Sequence, residues 1–220
     1  MMPSYDALLL FVPVLLLSVV AHEYAHARVA VSQGDLTPVM LGRLTMNPVP
    51  HIDPVGTVLV PLLLFFSQAG FLFGWAKPVP VNTRNFRDYR RGDVLVSVAG
   101  VAANFLLALA FFLAALALAA GGVTASSPGV PGALRRMAQF GLFFNLLLGV
   151  FNLIPIPPLD GSHVLYHLLP PALGARYRAL GRYGILMLFL VLIVPGGLDV
   201  LLLPVRFLMA VAQGVIDGVA

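Results

Sequence analysis

Residues 94–120 read VLVSVAGVAANFLLALAFFLAALALAA, an apolar run without a single charged side chain. A helix needs about 20 mostly apolar residues to cross the hydrocarbon core of a bilayer, and this run is longer than that. In lipid, every backbone polar group must be satisfied within the protein, which an α-helix does within its own segment. The stretch therefore predicts a membrane-spanning α-helix and, with it, the class of the fold.

The composition of the whole chain agrees with a membrane protein. Of its 220 residues, 60% are hydrophobic and 10% are charged, and the mean hydropathy is +0.95. An ordinary soluble domain has about a quarter of its residues charged. The composition excludes a soluble enzyme, a disordered tail and a nucleic-acid binder with a basic surface. Because the chain has no cysteine, disulfides and thiolate metal sites are excluded as well.

Further apolar stretches flank this run, so we predict an all-α polytopic membrane protein with about five to six hydrophobic segments. The stretches cover about residues 5–31, 55–75, 94–120, 137–156 and 183–219, the last interrupted by Pro195-Gly196-Gly197 and Pro204. No basic residue precedes the first stretch, so we expect no cleavable signal peptide. Residues 34–54 are rich in proline and other turn-forming residues, and they predict a short β-hairpin-like loop after the first span.

The connecting segments differ in charge. Segment 121–132 carries none, whereas 74–93 and 159–182 are basic. Because cytoplasmic loops are enriched in lysine and arginine, we expect the two basic segments in the cytoplasm and segment 121–132 outside. Arg135 and Arg136 go against this assignment.

The most polar cluster within any apolar stretch is His22-Glu23-Tyr24-Ala25-His26. Helical positions i and i+4 share a face, so both imidazoles can reach one zinc ion, and Glu23 can contact a water bound to it. Ionisable groups in hydrocarbon cost at least ~2–3 kcal/mol each unless they are paired or functional. Three of them so close together predict a metal site.

A catalytic zinc takes three protein ligands and keeps a fourth position open. Asp160 is a candidate third ligand because it ends the proline-rich stretch Asn152-LIPIPPL-Asp160. Irregular backbone at membrane depth is tolerated only where it lines a cavity or is buried in protein. The alternative is an interfacial turn capped by the aspartate.

With these motifs, the chain resembles the site-2 proteases, which are intramembrane zinc metalloproteases: H-E-x-x-H lies in one span and N-x-x-P-x-x-x-x-D-G in a later one. Residues 98–104 resemble the small-residue A-G-P-x-x-N stretch of that family, with Val101 in place of the proline. Residues 42–48, 51–54 and 74–78 look like the short bacterial branch, which has no PDZ domain.

The resemblance implies one Zn²⁺ per chain, held by His22, His26 and Asp160. It also implies that Glu23 is the general base and that Asn152 binds the substrate or the oxyanion. Residues 1–220 are then a single membrane-embedded protease domain, with a catalytic core over about 5–169 and C-terminal helices over about 176–220.

The resemblance further implies regulated intramembrane proteolysis of a transmembrane segment, such as that of an anti-sigma factor or a remnant signal peptide. We expect a multi-pass protein of the bacterial inner membrane, with its active site toward the cytoplasmic side. The lipid bilayer is a partner and nucleic acid is not; the oligomeric state stays open. A helical substrate must unwind before attack, and segment 34–54 or 74–82 is a candidate extended edge to hold it.

The ligands constrain how the chain is threaded, because they must reach one depth. We favour a re-entrant second stretch, which brings both ligand-bearing ends to one side; the alternative is a full crossing with ligands meeting near the midplane. Of the other histidines, we expect His51 in a solvated loop, the alternative being that it approaches the active site. We expect His163 and His167 to line the cavity or the cytoplasmic interface; the alternative is that they contact the metal ligands or replace one of them. Asn104 is expected to form an interhelical hydrogen bond within a patch of small residues.

Two rival functions fit the same residues. A metal-ion transporter or a non-proteolytic metal-binding protein would also place histidines within the membrane, although it needs no glutamate beside them. A zinc hydrolase that acts on lipid is a third reading.

Overall fold

The structure is a computed structural model that describes residues 5–60, 62–63, 67, 76–194 and 196–219. The α-helices are α1 (Tyr5–Gln33), α2 (Thr37–Met40), α3 (Tyr89–Ala120), α4 (Gly129–Asn152), α5 (Asp160–Leu168), α6 (Pro171–Leu180), α7 (Gly184–Ile193) and α8 (Gly197–Asp217). Shorter turns of 3₁₀-helix lie at Val49–His51, Thr83–Asn85 and Gly181–Tyr183, and a π-helical turn lies at Pro54–Leu59. These described ranges contain no β-strand, and the predicted all-α class is confirmed.

Three helices of the described part are long and apolar enough to cross a membrane. The candidate spans are Leu10–Gln33, Tyr89–Ala120 and Gly197–Asp217, fewer than the five to six hydrophobic segments expected. Helix α7 has only ten residues, too few to span. Helix α4 has 24 residues but carries Arg135 and Arg136, which lower its hydropathy. The stretch over 55–75, expected to be re-entrant, lies largely outside the described residues.

The β-hairpin-like loop expected after α1 is not what the structure has. Residues 34–54 instead form α2, a 3₁₀-turn and the start of the π-helical turn. The physical reason is the position of the prolines. Pro38, Pro50 and Pro54 each lie at the first or second position of a helical turn, where the missing N–H costs no hydrogen bond.

Helix α3 packs against α1, α4, α5 and α8 and forms the centre of the bundle. Its small residues Ala108, Ala115 and Ala119 are buried against α4 and α8, because short side chains let helices approach closely. Arg135 of α4 is also buried, and it donates a hydrogen bond to the carbonyl of Ala115. This hydrogen bond gives a structural reason for Arg135, which goes against the positive-inside assignment.

The two basic segments meet at one end of the bundle. Arg178 of α6 donates a hydrogen bond to the hydroxyl of Tyr89, the first residue of α3, and its guanidinium lies 3.7 Å from the ring centre of Tyr166. The uncharged turn after α3 follows Ala120, at the opposite end of this helix. Residues 76–93 and segment 159–182 therefore lie on the same side of the molecule.

Candidate metal centre

Two histidines of α1 and the first residue of α5 meet at one point. The Nε2 atoms of His22 and His26 lie 2.9 Å apart, as one helical turn between them allows. Asp160 Oδ2 lies 3.4 Å from each of these nitrogens. Of the described residues, these three form the one group of histidine and acidic side chains that could hold a metal ion.

Helix α3 fixes how both imidazoles are protonated. His26 Nδ1 lies 2.7 Å from the carbonyl oxygen of Val96, and His22 Nδ1 lies 2.7 Å from Asn104 Oδ1. Both partners only accept hydrogen bonds, so each Nδ1 carries the proton. In the neutral rings, Nε2 is then the bare nitrogen that a metal binds.

A buried amide network sets the orientation of Asn104. Its Nδ2 donates to Asn145 Oδ1 at 3.0 Å and to the carbonyl of Ser18 at 3.4 Å, which turns Oδ1 toward His22. Asn145 in turn donates to Ser18 Oγ at 2.8 Å. All three side chains are fully buried, and the network connects α1, α3 and α4. The predicted interhelical role of Asn104 is confirmed.

The three donor atoms fit a zinc ion. In the neutral rings, two bare imidazole nitrogens face a carboxylate oxygen that is buried without a hydrogen-bond partner among the described residues, so three lone pairs converge. Ligand atoms roughly 2.1 Å from a tetrahedral zinc lie roughly 3.4 Å apart, close to the distances here. A cation resolves this convergence, and the His₂Asp set is one that Zn²⁺ accepts.

Gly100 makes room for the imidazoles. A Cβ atom added there would lie 2.5 Å from His26 Nε2 and Cε1 and 2.6 Å from His22 Cε1. Any side chain at this position would push both rings. The small residues of α3 are expected to allow close packing of neighbouring helices. At Gly100, the groups that pack closely are the imidazole rings of His22 and His26.

Glu23 lies next to His22 and contacts a different part of the chain. Its Oε2 accepts a hydrogen bond of 2.7 Å from the backbone N–H of Val79. The same segment is held at Lys77, whose N–H donates to the His51 carbonyl at 2.9 Å, and at Asn82, whose N–H donates to Asp35 Oδ2 at 2.7 Å. Segment 76–82 thus passes beside the glutamate, a contact that the sequence did not reveal.

Asn152 lies at the end of α4 and is half-buried. Its Nδ2 donates to the carbonyl of Leu148, one turn earlier, at 3.0 Å. The amide has two N–H protons, and this bond uses one. Its role toward the substrate stays a prediction.

The remaining histidines are paired or buried. His51, expected in a solvated loop, is only 2% exposed, which makes that expectation wrong. Its Nε2 donates to the carbonyl of Thr45 at 3.1 Å, a bond that holds the ring inside the folded turns. His163 and His167 both contact Asp93 of α3. Asp93 was not singled out from the sequence; the signal was an acid near the start of a long apolar helix.

Comparisons with known proteins identify the family of this chain. Residues 123–194 match the model of Peptidase family M50. The chain is 41% identical over 190 residues to "Putative zinc metalloprotease YwhC" of Bacillus subtilis, which covers 85% of this chain and 81% of that protein. No solved structure matches the chain significantly.

Two mycobacterial proteins named "Putative zinc metalloprotease Rip2" are also similar. The one from Mycolicibacterium smegmatis is 30% identical over 183 residues, and the one from Mycobacterium tuberculosis H37Rv is 31% identical over 180. Each match covers 82% of this chain and 65% of the relative. The identity to a relative matched over most of its length shows the family: this chain belongs to peptidase family M50, the zinc metalloproteases of the site-2 type.

Proposed function

We propose that this chain is an intramembrane metalloprotease that hydrolyses peptide bonds within or near transmembrane segments of other membrane proteins. The observation that carries the proposal is the convergence of His22 Nε2, His26 Nε2 and Asp160 Oδ2 beside Glu23, on apolar helices. A site of this kind at membrane depth is costly unless it functions.

His22, His26 and Asp160 would hold one zinc ion, which supplies Lewis-acid chemistry by polarising a carbonyl and lowering the pKa of water to about 7. Glu23 accepts the proton of the attacking water and returns it to the leaving nitrogen. Because Oε2 of Glu23 already accepts a hydrogen bond from the N–H of Val79, we assign the proton taken from water to Oε1. Asn152 donates its second amide proton to the developing oxyanion.

Segment 76–82 supports a role in holding the substrate. A helical substrate has its carbonyls engaged within the helix, so the scissile region must be extended before attack. The N–H groups of alternate residues of an extended chain point to the same side, and Pro78 and Pro80 leave one side without donors. Because the N–H groups of Lys77 and Val79 are already engaged by His51 and Glu23, a substrate strand would pair by donating its own N–H groups to carbonyls of segment 76–82. Helix-breaking residues near the scissile bond should then speed cleavage.

The proposed substrates and location follow from the family and from the charge of the chain. Membrane-tethered regulators such as anti-sigma factors and remnant signal peptides are the substrate class. The bacterial inner membrane is the location, with the active site toward the cytoplasm. The support is that the metal centre contacts Val96 and Gly100, in the half of α3 that begins at the basic end of the bundle.

The test is Glu23→Gln in the purified full chain. We expect the variant to bind Zn²⁺ like the wild type, because the three ligands remain, and to lose cleavage of a model transmembrane peptide. The measurements are metal content and peptide cleavage. Asp160→Ala should lose both, since it removes a ligand.

Asp199→Asn is the matched control, because Asp199 is an exposed carboxylate that pairs with exposed Arg206 on α8. It should leave both measurements unchanged. Full cleavage by Glu23→Gln would contradict the proposed base. Zinc flux across vesicles without peptide cleavage would favour a transporter, and hydrolysis of lipid but not peptide would favour a lipid hydrolase.

A further inference from the structure

Asp93 lies near the start of α3, outside the metal centre, and contacts two histidines of α5. Its Oδ1 lies 3.1 Å from His163 Nδ1, and its Oδ2 lies 2.7 Å from His167 Nε2. The side chains of Asp93 and His167 are each 6% exposed, and that of His163 is 47% exposed. A buried carboxylate is costly unless donors satisfy it, and here two imidazoles do so; His163 Nδ1 also lies 3.3 Å from Oδ2.

This cluster differs from a second metal site. Each contact joins a ring nitrogen to a carboxylate oxygen at hydrogen-bond distance, so donors face acceptors and lone pairs do not converge. The hydrogen bond to Asp93 raises the pKa of His163 above its ordinary value, against the opposing effect of partial burial. A protonated ring makes this a charge-assisted bond, which is stronger than a neutral one.

The cluster fixes α5 relative to α3. His163 and His167 follow Asp160 by three and seven residues, positions that lie on one helical face. Holding two successive turns of α5 to one carboxylate sets both the rotation of this helix and its height along α3. Asp160 is the first residue of the same short helix, so the position of Asp160 depends on both the rotation and the height of α5.

One face of α3 then supports all three ligands. Asp93, Val96, Gly100 and Asn104 are spaced three or four residues apart, which places them along one side of the helix. The carbonyl of Val96 and the amide of Asn104 orient His26 and His22. Asp93 provides the corresponding contact for the helix that carries the third ligand.

We propose that Asp93 is the positioning residue of the third metal ligand: through His163 and His167 it holds α5 where Asp160 Oδ2 meets the two imidazoles. The inference rests on the proposed function, since it takes His22, His26 and Asp160 as the ligands. It adds that a residue without contact to the metal determines how tightly the metal is bound.

The test uses the full chain in detergent and Asp93→Asn, which removes the charge and can accept a hydrogen bond through one oxygen only. The first measurement is Co²⁺ affinity, read from the visible absorption bands that report the ligand geometry. The second is the distance between spin labels at Leu106→Cys of α3 and Leu168→Cys of α5 in metal-free protein. Both leucines are exposed, and the chain has no other cysteine.

We expect Asp93→Asn to lower Co²⁺ affinity by about tenfold or more, to alter the absorption bands and to broaden or shift the label distance. His167→Gln should change both in the same direction but less, because His163 remains; it decides the question where Asp93→Asn does not fold. Asp88→Asn is the matched control on the same helix, since Asp88 caps α3 by accepting from the Arg91 N–H and asparagine caps equally well.

The inference is overturned if Asp93→Asn keeps the wild-type value of either measurement, or if Asp88→Asn reduces affinity as much. A wild-type chain that binds no Co²⁺ would instead contradict the proposed metal site. In that case the label distance in metal-free protein still decides whether Asp93 holds α5.

Discussion

The imidazoles of His22 and His26 are presented to a metal by contacts from a different helix. Val96 and Asn104 of α3 accept hydrogen bonds from the two Nδ1–H groups, and Gly100 leaves the space that the rings occupy. Histidines that bind metals commonly donate their other nitrogen to a fixed acceptor. The metal binding that we propose for α1 therefore depends on three positions of α3.

Gly100→Ala should weaken metal binding without unfolding the protein. The new Cβ would lie about 2.5 Å from ligand atoms, so the rings must move, whereas alanine favours a helix over glycine by about 1 kcal/mol. We expect zinc affinity to fall by about tenfold or more and the melting temperature of the metal-free protein to stay equal or rise. Competition with a chromophoric chelator measures the affinity.

Gly214→Ala provides the control for this substitution. The same change on α8 meets no atom within 4 Å, so zinc affinity should stay at the wild-type value. Wild-type affinity in Gly100→Ala would show that the imidazoles have room to adjust.

At this scale, the sequence was informative where spacing alone determines the geometry. His22 and His26 were recognisable because i and i+4 of any helix share a face, and Asp160 because a carboxylate after three prolines is unusual in an apolar chain. Asp93 and Val79 were not recognisable. Their contacts join segments far apart in sequence, and a backbone N–H such as that of Val79 leaves no mark in a residue pattern.

Among the elements, the turns after α1 are held to segment 76–85 by one buried carboxylate. Asp35 accepts hydrogen bonds from the N–H and hydroxyl of Thr37, from the N–H of Asn82 and from Nδ2 of Asn85, at 2.5–3.1 Å. Burial opposes ionisation of Asp35, but these bonds outweigh it and lower the pKa of the carboxyl below its ordinary value.

The lowered pKa of Asp35 predicts a loss of stability in acid. A carboxyl whose pKa is depressed in the folded state stabilises it fully above the unfolded pKa, about 3.9, and less as the pH falls through the folded value. Asp35→Asn should therefore reduce the change in melting temperature between pH 5 and pH 2. At neutral pH it should destabilise the protein by about 1–3 kcal/mol, because the new amide faces a backbone donor.

Thermal unfolding in detergent across this pH range measures both effects. Asp199→Asn, at an exposed carboxylate, is the comparison and should reproduce the wild-type curve. An unchanged acid transition in Asp35→Asn would show that other carboxyl groups determine it.

Helix α3 was predictable as an element because its length and apolar character determine it without tertiary contacts. The loop over 34–54 was not, since proline and glycine indicate that the chain turns but leave the type of turn undecided. Here Asp35 accepts from donors of α2 and of segment 82–85, so the conformation depends on residues nearly fifty positions away.

At the scale of the whole molecule, α3 extends from one end of the bundle to the other. Its 32 residues extend over roughly 48 Å, more than the ~30 Å of bilayer hydrocarbon. Arg90 and Arg91 lie in its first turn, where Arg178 bonds to Tyr89, and the uncharged turn 121–128 follows its last. From the positive-inside rule, we predict that the first end faces the cytoplasm.

Single cysteines test this orientation without background, because the chain has none of its own. In intact bacterial cells, a membrane-impermeant maleimide should label Ser126→Cys, which is exposed beyond α3. It should label Arg84→Cys, which is exposed before α3, only after permeabilisation. Labelling in the reverse order would invert the topology, and labelling of both in intact cells would show that α3 does not cross.

More than half of the chain lies between His26 and Asp160, and the candidate metal centre joins these two distant points. A cation bound there would act as a cross-link, removing from the unfolded ensemble the loop-closure entropy that a disulfide removes in a secreted protein. Chelators should accordingly do more than abolish peptide cleavage. They should loosen the segment that follows Asp160 from α1, so that added trypsin cuts faster at exposed arginines such as Arg176 and Arg182.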